Sequence, residues 1–236
     1  MQRKATEVIP EGGALSINKL SVSYPGIDGA HHVLRNVSLA VEPGSILQVN
    51  GSNGSGKTTL LKALTNQIAG TGAYGIPVGN SQKALKRQRR DRTELIAFVP
   101  QHSASATAGS LSIAEHACLA RCAPHLSAIR SWRKAARSAV PLLKIEDVTD
   151  NPDTLLQWLS GGQMRRVLIG LINARQAKPI VVAMDEPFSY LDAQGKLKCE
   201  EAIYSLAREN RIVLLVDHGN SIVSTEIVSV DAEGVQ

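Results

Sequence analysis

The sequence predicts an α/β fold with a mostly parallel core sheet, an antiparallel β subdomain and an inserted helical subdomain. Two apolar strands, at 180–184 and 211–216, bracket a long helix over 196–208, an order typical of a parallel sheet. A glycine-rich loop at 51–58 stands between a short alternating strand and a helix, as in a phosphate-binding loop. Alternating runs near the N-terminus, separated by Pro-Gly pairs, predict antiparallel strands joined by turns.

The order of elements follows from the same patterns. Residues 1–14 are expected to form an N-terminal tail, and residues 15–236 to form one domain. The antiparallel strands are predicted around 20–24 and 37–41, and the basic segment 66–94 is expected to be irregular. Residues 96–99 resemble a buried strand that ends before a proline.

A helical subdomain is predicted over about 101–175, inserted into the α/β core. Ser112 and Glu115 fit a capping box ahead of a helix, and the segment 131–140 is rich in Ala and Arg. After Ser160, apolar residues recur at helical spacing, which predicts a helix with one buried face. These residues are Met164, Val167, Leu168, Leu171 and Ile172.

Composition is that of a globular protein of 236 residues, with 43% hydrophobic and 20% charged residues. No apolar run approaches the roughly 20 residues that a membrane-spanning helix needs. The N-terminal residues lack an apolar segment of the secretory type, so export is not expected. The cysteines Cys118, Cys122 and Cys199 cannot all pair, and the first two are better explained by packing than by metal binding. A reducing cytoplasm fits this composition best.

The net charge of +5 comes largely from a basic run between Lys83 and Arg92. A solvated surface is the simplest explanation of this run, and contact with anionic lipid headgroups is the alternative. Aromatic residues make up only 3% of the chain, which leaves little material for stacking on bases. Nucleic acid is therefore not an expected partner.

The loop at 51–58 fits the Walker A pattern GxxxxGK[ST] in full. Glycines allow the backbone N–H groups to converge on one anion, Lys57 adds a positive charge near the β- and γ-phosphates, and the Thr58 hydroxyl can hold Mg²⁺. Thr59 opens the helix whose N-terminus would face the phosphates. The residues predicted to contact the nucleotide here are Gly51, Ser52, Asn53, Gly54, Ser55, Gly56, Lys57, Thr58 and Thr59.

Two adjacent carboxylates follow the apolar strand at 180–184, in the Walker B arrangement. Ligands bind at the C-terminal edge of a parallel sheet, so Asp185 can face the same phosphates and support Mg²⁺. Glu186 points differently and could polarise an attacking water. Together with the Walker A loop, these carboxylates predict hydrolysis of a bound nucleoside triphosphate.

The segment Leu-Ser-Gly-Gly-Gln, which ends at Gln163, is the most diagnostic stretch. Ser160 suits a helix N-cap, and Gly161 and Gly162 let backbone N–H groups approach an anion. This segment resembles the signature of ABC transporter nucleotide-binding subunits, and the likeness extends from about residue 15 to residue 220. Such P-loop NTPases bind ATP and Mg²⁺, which the resemblance therefore implies for this chain.

The resemblance assigns further roles residue by residue. Gln101 matches the Q-loop, which implies a part in catalysis and in holding Mg²⁺ with Thr58 and Asp185. Asp192 ends the D-loop and would contact ATP, as would the signature residues Ser160, Gly161, Gly162 and Gln163. Tyr24 sits where the family has an aromatic that stacks on adenine. The implied catalytic residues are Glu186, His218 and Gln101.

The resemblance also implies partners. Two copies, or this chain and a homologous ATPase subunit, would close over ATP so that each signature covers the partner's γ-phosphate. Solute transport would then need integral membrane permease subunits, and an importer would add a solute-binding protein. The expected location is the cytoplasmic face of the cell membrane, as a peripheral subunit. Segment 107–115, together with the Gly51-Ser52-Asn53 variant of Walker A, resembles ATPases of aromatic amino-acid uptake systems, a likeness that favours import.

Two other functions remain open at this point. One is an ABC ATPase that performs mechanical work at the membrane, and the other is a soluble ABC ATPase of translation or DNA repair. The second class usually carries tandem cassettes or coiled-coil insertions, which are not recognisable in this sequence. The sequence also leaves open the cargo, the direction of transport, and whether the dimer pairs identical subunits.

Overall fold

The computed structural model describes most of the chain between Ala14 and Val235. The described residues are 14–27, 29–65, 67–78, 81–84, 95–102, 106–122, 132–145, 150–175, 178–217, 224, 226–231 and 234–235. Within them the strands are β1 (Leu15–Gly26), β2 (Gly29–Val41), β3 (Ile46–Asn50), β4 (Thr71–Val78), β5 (Ser81–Ala84), β6 (Ile96–Val99), β7 (Val181–Asp185), β8 (Ile212–Val216), β9 (Glu226–Asp231) and β10 (Gly234–Val235).

Helices occupy the regions between these strands. They are α1 (Lys57–Leu64), α2 (Ile113–Cys122), α3 (Trp132–Ala139), α4 (Gly161–Ala174) and α5 (Ala193–Arg208), with short 3₁₀ segments at Val140–Leu143 and Leu156–Trp158. The predicted capping box forms, since the backbone N–H of Ser112 donates to the Glu115 carboxylate and the backbone N–H of Glu115 donates to the Ser112 hydroxyl. Local sequence therefore defines the start of α2.

The strands form two sheets, which confirms the predicted fold class. Six strands in the order β10-β9-β3-β8-β7-β6 make the core sheet, in which every pairing is parallel except that of β10 with β9. The second sheet has the order β2-β1-β4-β5 and is antiparallel throughout. Helices α2 and α3 lie in the chain between β6 and α4, within the range predicted for the helical subdomain.

Both faces of the core sheet are covered. Along β7, Val181 and Ala183 pack in a cluster with α1, β1 and β2, whereas Val182 and Met184 pack in a second cluster with α4 and α5. Successive side chains of a strand point to opposite faces, so one apolar run supplies both clusters. This burial explains why β8, and β7 as far as Met184, are apolar without interruption.

Some sequence expectations were wrong. The segment 66–94 is not irregular throughout, because it contains β4 and β5, which extend the antiparallel sheet from β1. The Pro43-Gly44 turn does not join two antiparallel strands but connects β2 to β3 in the other sheet. The long helix begins at Ala193 and not at 196, because Asp192 caps it. Residues 1–13 of the predicted tail lie outside the described residues, and Ala14 is buried.

Two described cysteines are packing residues. Cys118 is fully buried in a small cluster with α3, and Cys199 is fully buried between α5 and the core sheet. Burial raises the pKa of the Cys199 thiol to about 12, so it stays neutral. The structure also contains, in its described part, no helix long and apolar enough to cross a membrane.

Candidate functional site

The predicted site residues follow strands that end at one edge of the core sheet. Strand β3 ends at Asn50 and leads into the glycine-rich loop, β6 leads into Gln101, and β7 ends at Asp185. Val99 lies opposite Met184, and Asp185 lies opposite Val216 at the end of β8. Because these strands are parallel, their carboxyl ends gather the following residues in one place.

The glycine-rich loop wraps around the Lys57 ammonium. Lys57 is only 6% exposed, and its Nζ donates hydrogen bonds of 2.8 Å to the carbonyl oxygens of Gly51 and Ser52. Gly56 precedes α1 with a φ of 101°, and a Cβ there would lie 2.8 Å from Leu34 Cδ2. Only glycine fits such a left-handed and crowded position, so the loop needs Gly56 to reach α1.

An open cavity of about 420 Å³ lies over this loop. It brings the loop together with Glu186 from the end of β7, and its lining residues are Val33, Asn53, Gly54, Gly56, Lys57, Thr58, Thr59, Glu186 and Val216. In the same loop the Ser55 hydroxyl is buried with no hydrogen-bond partner among the described residues. A loop with a buried donor that has no partner and with a lysine ammonium suits an anionic ligand such as a phosphate.

A hydroxyl and a carboxylate form the centre of the possible metal site. The Thr58 hydroxyl donates to Asp185 Oδ2 at 2.9 Å, and Asp185 is 4% exposed. Burial raises the pKa of Asp185, while the hydrogen bond from Thr58 acts in the opposite direction. These oxygen ligands suit Mg²⁺, which commonly takes one or two protein ligands and completes its shell with phosphates and water. The described residues contain no group of three or more His, Cys, Asp or Glu side chains that could hold a metal ion.

Glu186 lies just beyond Asp185 and is held by two donors. Gln101 Nε2 donates to Glu186 Oε2 at 2.7 Å, and the Ser189 hydroxyl donates to the same oxygen at 2.8 Å. The backbone N–H of Glu186 bonds to the Val216 carbonyl oxygen at 2.7 Å, and its φ is 46°. A non-glycine residue in this left-handed region is strained, and such strain clusters at functional sites. Glu186 is thus fixed at the cavity wall.

The predicted signature segment forms the start of α4. The backbone N–H of Gln163 donates to the Ser160 hydroxyl at 3.2 Å, and the Gln163 side chain accepts from the Ser160 N–H at 3.0 Å. A Cβ on Gly161 would meet nothing within 4 Å. The N-terminus of a 14-residue helix therefore stands open to a ligand beside Gly161.

Two further predicted contacts, Asp192 and Tyr24, are not part of the cavity lining. Asp192 caps α5, because its Oδ1 accepts from the Gly195 N–H at 2.7 Å. Tyr24 is 38% exposed on β1, where it pairs with His31 of β2. His218 lies outside the described residues.

Comparison with known proteins identifies the family. The model of the family described as ABC transporter matches residues 34–189, which is well over half of the chain. The chain belongs to the ABC transporter family. As an ABC ATPase it binds and hydrolyses ATP, the nucleotide that the geometry of the phosphate loop suits.

Individual relatives agree with this assignment. The chain is 31% identical over 220 residues to a probable ABC transporter ATP-binding protein of Cyanophora paradoxa, with coverage of 89% of this chain and 82% of the relative. It is 32% identical to arabinose import ATP-binding protein AraG 2 of Burkholderia ambifaria, covering 89% of this chain but only 38% of that longer relative. The structure of the ATP-binding cassette MJ0796, a dimer bound to ADP and Pi, superposes with a TM-score of 0.75 at 22% identity, covering 94% and 96% of the two chains.

The structure of this ABC ATPase brings part of the predicted site together. The phosphate loop, the Thr58–Asp185 pair, and Glu186 with Gln101 share one edge of the sheet. Among the described residues, neither Tyr24 nor Asp192 lines the cavity, and none of Ser160 to Gln163 does. In a single subunit the signature residues therefore do not line the cavity over the phosphate loop.

Three residues of the ABC ATPase site were given no binding or catalytic role by sequence reasoning. Val33 lines the cavity from β2, but no local pattern distinguishes it from any other strand valine. Ser189 donates to Glu186, and its position in the same turn, three residues after Glu186, was the available signal. Arg165 is buried and donates hydrogen bonds to the carbonyl oxygens of Pro100 and Gln101, contacts that only the three-dimensional packing reveals.

Proposed function

We propose that this ABC ATPase is one of two nucleotide-binding subunits that sandwich ATP and drive solute transport through separate membrane permease subunits. The observation that carries this proposal is that the signature segment and the phosphate loop do not line one cavity within a single chain. The signature helix α4 presents an open N-terminus at Gly161, whereas the cavity over the phosphate loop is lined by other residues. A second subunit can supply the missing half of each site.

Formation of the closed dimer is expected to depend on bound ATP. The N-terminus of α4 carries partial positive charge and unpaired N–H groups, which favour an anion such as the γ-phosphate. This contact forms only when ATP is present, so ATP binding favours the closed dimer and hydrolysis weakens it. MJ0796 is described as a dimer bound to ADP and Pi, which supports a dimer as the functional unit.

Complementation between two inactive variants tests the shared site. Lys57→Ala removes the ammonium from one phosphate loop, and Gly162→Asp places a carboxylate at one signature, where the new Cβ would lie 3.1 Å from Leu191 Cδ2. A heterodimer of the two variants contains one intact composite site, so we expect mixing to restore part of the ATPase activity.

The matched control mixes Lys57→Ala with a chain that carries both substitutions, because that heterodimer has no intact site. ATPase activity is measured after heterodimers have been isolated with two different affinity tags. Activity in the first mixture but not in the control supports a site shared between subunits. A lack of recovery in isolated heterodimers contradicts it, provided that the parent dimer turns over with one functional site.

In this proposal residues at the carboxyl edge of the core sheet bind and hydrolyse ATP. Lys57 and the loop amides hold the phosphates, and Thr58, Asp185 and Gln101 hold Mg²⁺, whose positive charge supplies electrostatic stabilisation to the phosphates. Glu186 orients and activates the attacking water, and Gln101 and Ser189 keep its carboxylate in place. We assign His218 to the γ-phosphate from the family resemblance alone.

Tyr24 is proposed to stack on the adenine ring. Its partner His31 lies two residues before Val33 on β2, so Tyr24 lies in the same hairpin and close to Val33 along the strand. Because Val33 lines the cavity, the hairpin can continue the nucleotide site beyond the phosphates. An exposure of 38% also argues against a Tyr24 that only covers the core.

Substitution of Tyr24 separates stacking from hydrogen bonding. We expect Tyr24→Ala to raise the KM for ATP several-fold, whereas Tyr24→Phe and Tyr24→Trp keep the aromatic face and the parent KM. Steady-state ATPase kinetics with varied ATP provide the measurement. Equal KM increases for Ala and Phe would show that the hydroxyl, and not the ring, makes the contact.

Membrane partners are the remaining part of the proposal. The helical region from Gln101 to 158 is proposed to contact the permease, and the subunit would then sit at the cytoplasmic face of the membrane with Gln101 linking that surface to the γ-phosphate. A solute-binding protein would accompany an importer, a direction that the named function of the arabinose relative favours. The similarity of 107–115 to aromatic amino-acid uptake ATPases makes an amino acid our proposed cargo. Co-purification with an integral membrane protein, followed by solute flux measurements, tests these partners.

A further inference from the structure

Arg165 is an unusual residue on the signature helix α4. It lies five residues after Ser160 and is only 2% exposed, among the largest buried side chains of the described chain. Its Nη1 donates to the Pro100 carbonyl oxygen at 2.5 Å, and its Nη2 donates to the Gln101 carbonyl oxygen at 2.6 Å. One guanidinium thus ties the signature helix to the main chain that follows β6.

The same main chain carries the side chain that contacts Glu186. The Gln101 carbonyl oxygen accepts from Arg165, while Gln101 Nε2 donates to the Glu186 carboxylate at 2.7 Å. Asp185 and Glu186 are also close enough for their negative charges to favour the charged guanidinium, although burial lowers the pKa of Arg165. A continuous series of hydrogen bonds therefore runs from α4, through Gln101, to Glu186.

The need to fill space in the core does not by itself explain why residue 165 is an arginine. Transfer of a guanidinium from water into the interior is unfavourable, and an apolar side chain of similar volume often gives equal or greater stability. In addition, the Arg165 Nε is buried without a hydrogen-bond partner among the described residues. The two directed contacts to consecutive carbonyl oxygens are what an apolar side chain could not provide.

We propose that Arg165 is a positioning residue, which fixes the Gln101 main chain against the signature helix and thereby holds the Gln101 amide on Glu186. The inference rests on the proposed role of Glu186 in hydrolysis. It predicts that Arg165 affects the rate of the chemical step more than the affinity for ATP, because its hydrogen bonds go to Pro100 and Gln101 and Gln101 in turn contacts Glu186. A displaced Gln101 would leave Glu186 with one fewer donor to orient its carboxylate.

Two substitutions at Arg165 remove these contacts to different extents. Arg165→Lys keeps the charge but has a single nitrogen in place of the planar fork, and Arg165→Gln keeps a donor but removes the charge. We expect kcat to fall by about tenfold for Gln and by less for Lys, with the KM for ATP changed less than about twofold. Arg208→Gln, at the exposed end of α5, is the control for loss of one positive charge.

A double-mutant cycle with Gln101→Ala distinguishes positioning from a general effect on folding. If Arg165 acts through the Gln101 amide, Arg165→Gln should lower kcat much less in the Gln101→Ala background than in the parent. Additive effects on kcat, or a parent kcat in both Arg165 variants, would overturn the inference. Should Arg165→Gln not fold, the same cycle is carried out with Arg165→Lys, and the same outcomes decide.

Failure of this inference can be told from failure of the proposed function. Glu186→Gln is measured in parallel under identical conditions. A parent rate in Glu186→Gln removes the catalytic role on which the inference rests. A large loss in Glu186→Gln together with parent rates in both Arg165 variants removes only the positioning role.

Discussion

Glu186→Gln should lower ATP turnover by about 10²–10⁴-fold while ATP still binds. The amide has the same shape as the carboxylate but cannot take a proton from the attacking water. The phosphate loop and the Thr58–Asp185 pair are unchanged, so the variant should keep the proposed phosphate and Mg²⁺ contacts. Because the proposed closed dimer opens only after hydrolysis, Mg-ATP should also convert the variant into a stable dimer.

Single-turnover ATPase assays and size exclusion with Mg-ATP measure both effects. Glu201→Gln, which is exposed on α5 and outside the cavity lining, removes the same charge at a site that should not affect turnover. A Glu186→Gln protein that hydrolyses ATP at the parent rate would show that Glu186 is not the base. Loss of ATP binding in this variant would instead indicate that Glu186 is needed for the local fold.

The second large effect is expected from Lys57→Ala, which should weaken ATP binding by roughly 10²–10⁴-fold. Lys57 is nearly buried, and its two contacts to loop carbonyl oxygens show that the ammonium can make two strong hydrogen bonds at this position. Charge-assisted hydrogen bonds contribute about 1.5–3 kcal/mol each, and phosphate oxygens would accept them in the complex. Alanine supplies neither the charge nor the donors.

Equilibrium binding of a fluorescent ATP analogue and steady-state hydrolysis provide the measurements. Lys196→Ala, on the exposed side of α5, is the control for removal of a lysine charge. Thermal unfolding of both variants separates weakened binding from a damaged fold. Hydrolysis like that of the parent in Lys57→Ala would falsify the assignment of the Walker A loop.

Local sequence was sufficient where neighbouring residues alone decide the structure. The capping pairs Ser112 with Glu115, and Ser160 with Gln163, are three residues apart, so the start of each helix could be predicted without any tertiary contact. The phosphate loop was equally local, because its backbone requires glycine at Gly56 whatever surrounds it. The family resemblance then extended these local motifs to an ordered set along most of the chain.

Tertiary structure decided what depends on partners distant in the chain. Strands β4 and β5 were missed because their pairing with β1 and with each other stabilises a segment whose composition alone indicates no strand. The Ser45–Val49 run alternates as if one side faced solvent, yet β3 is almost wholly buried between two parallel neighbours. Pairing and burial override such weak local preferences.

In the candidate site, too, some features follow from local sequence and others only from tertiary structure. Its Walker residues are readable in sequence, since their chemistry requires particular side chains at fixed spacing. The hydrogen bonds from Gln101 to Glu186, and from Arg165 to the Gln101 carbonyl oxygen, join residues 85 and 64 positions apart. No local pattern encodes such contacts, because they form only when packing brings α4 and the ends of β6 and β7 together in the folded chain.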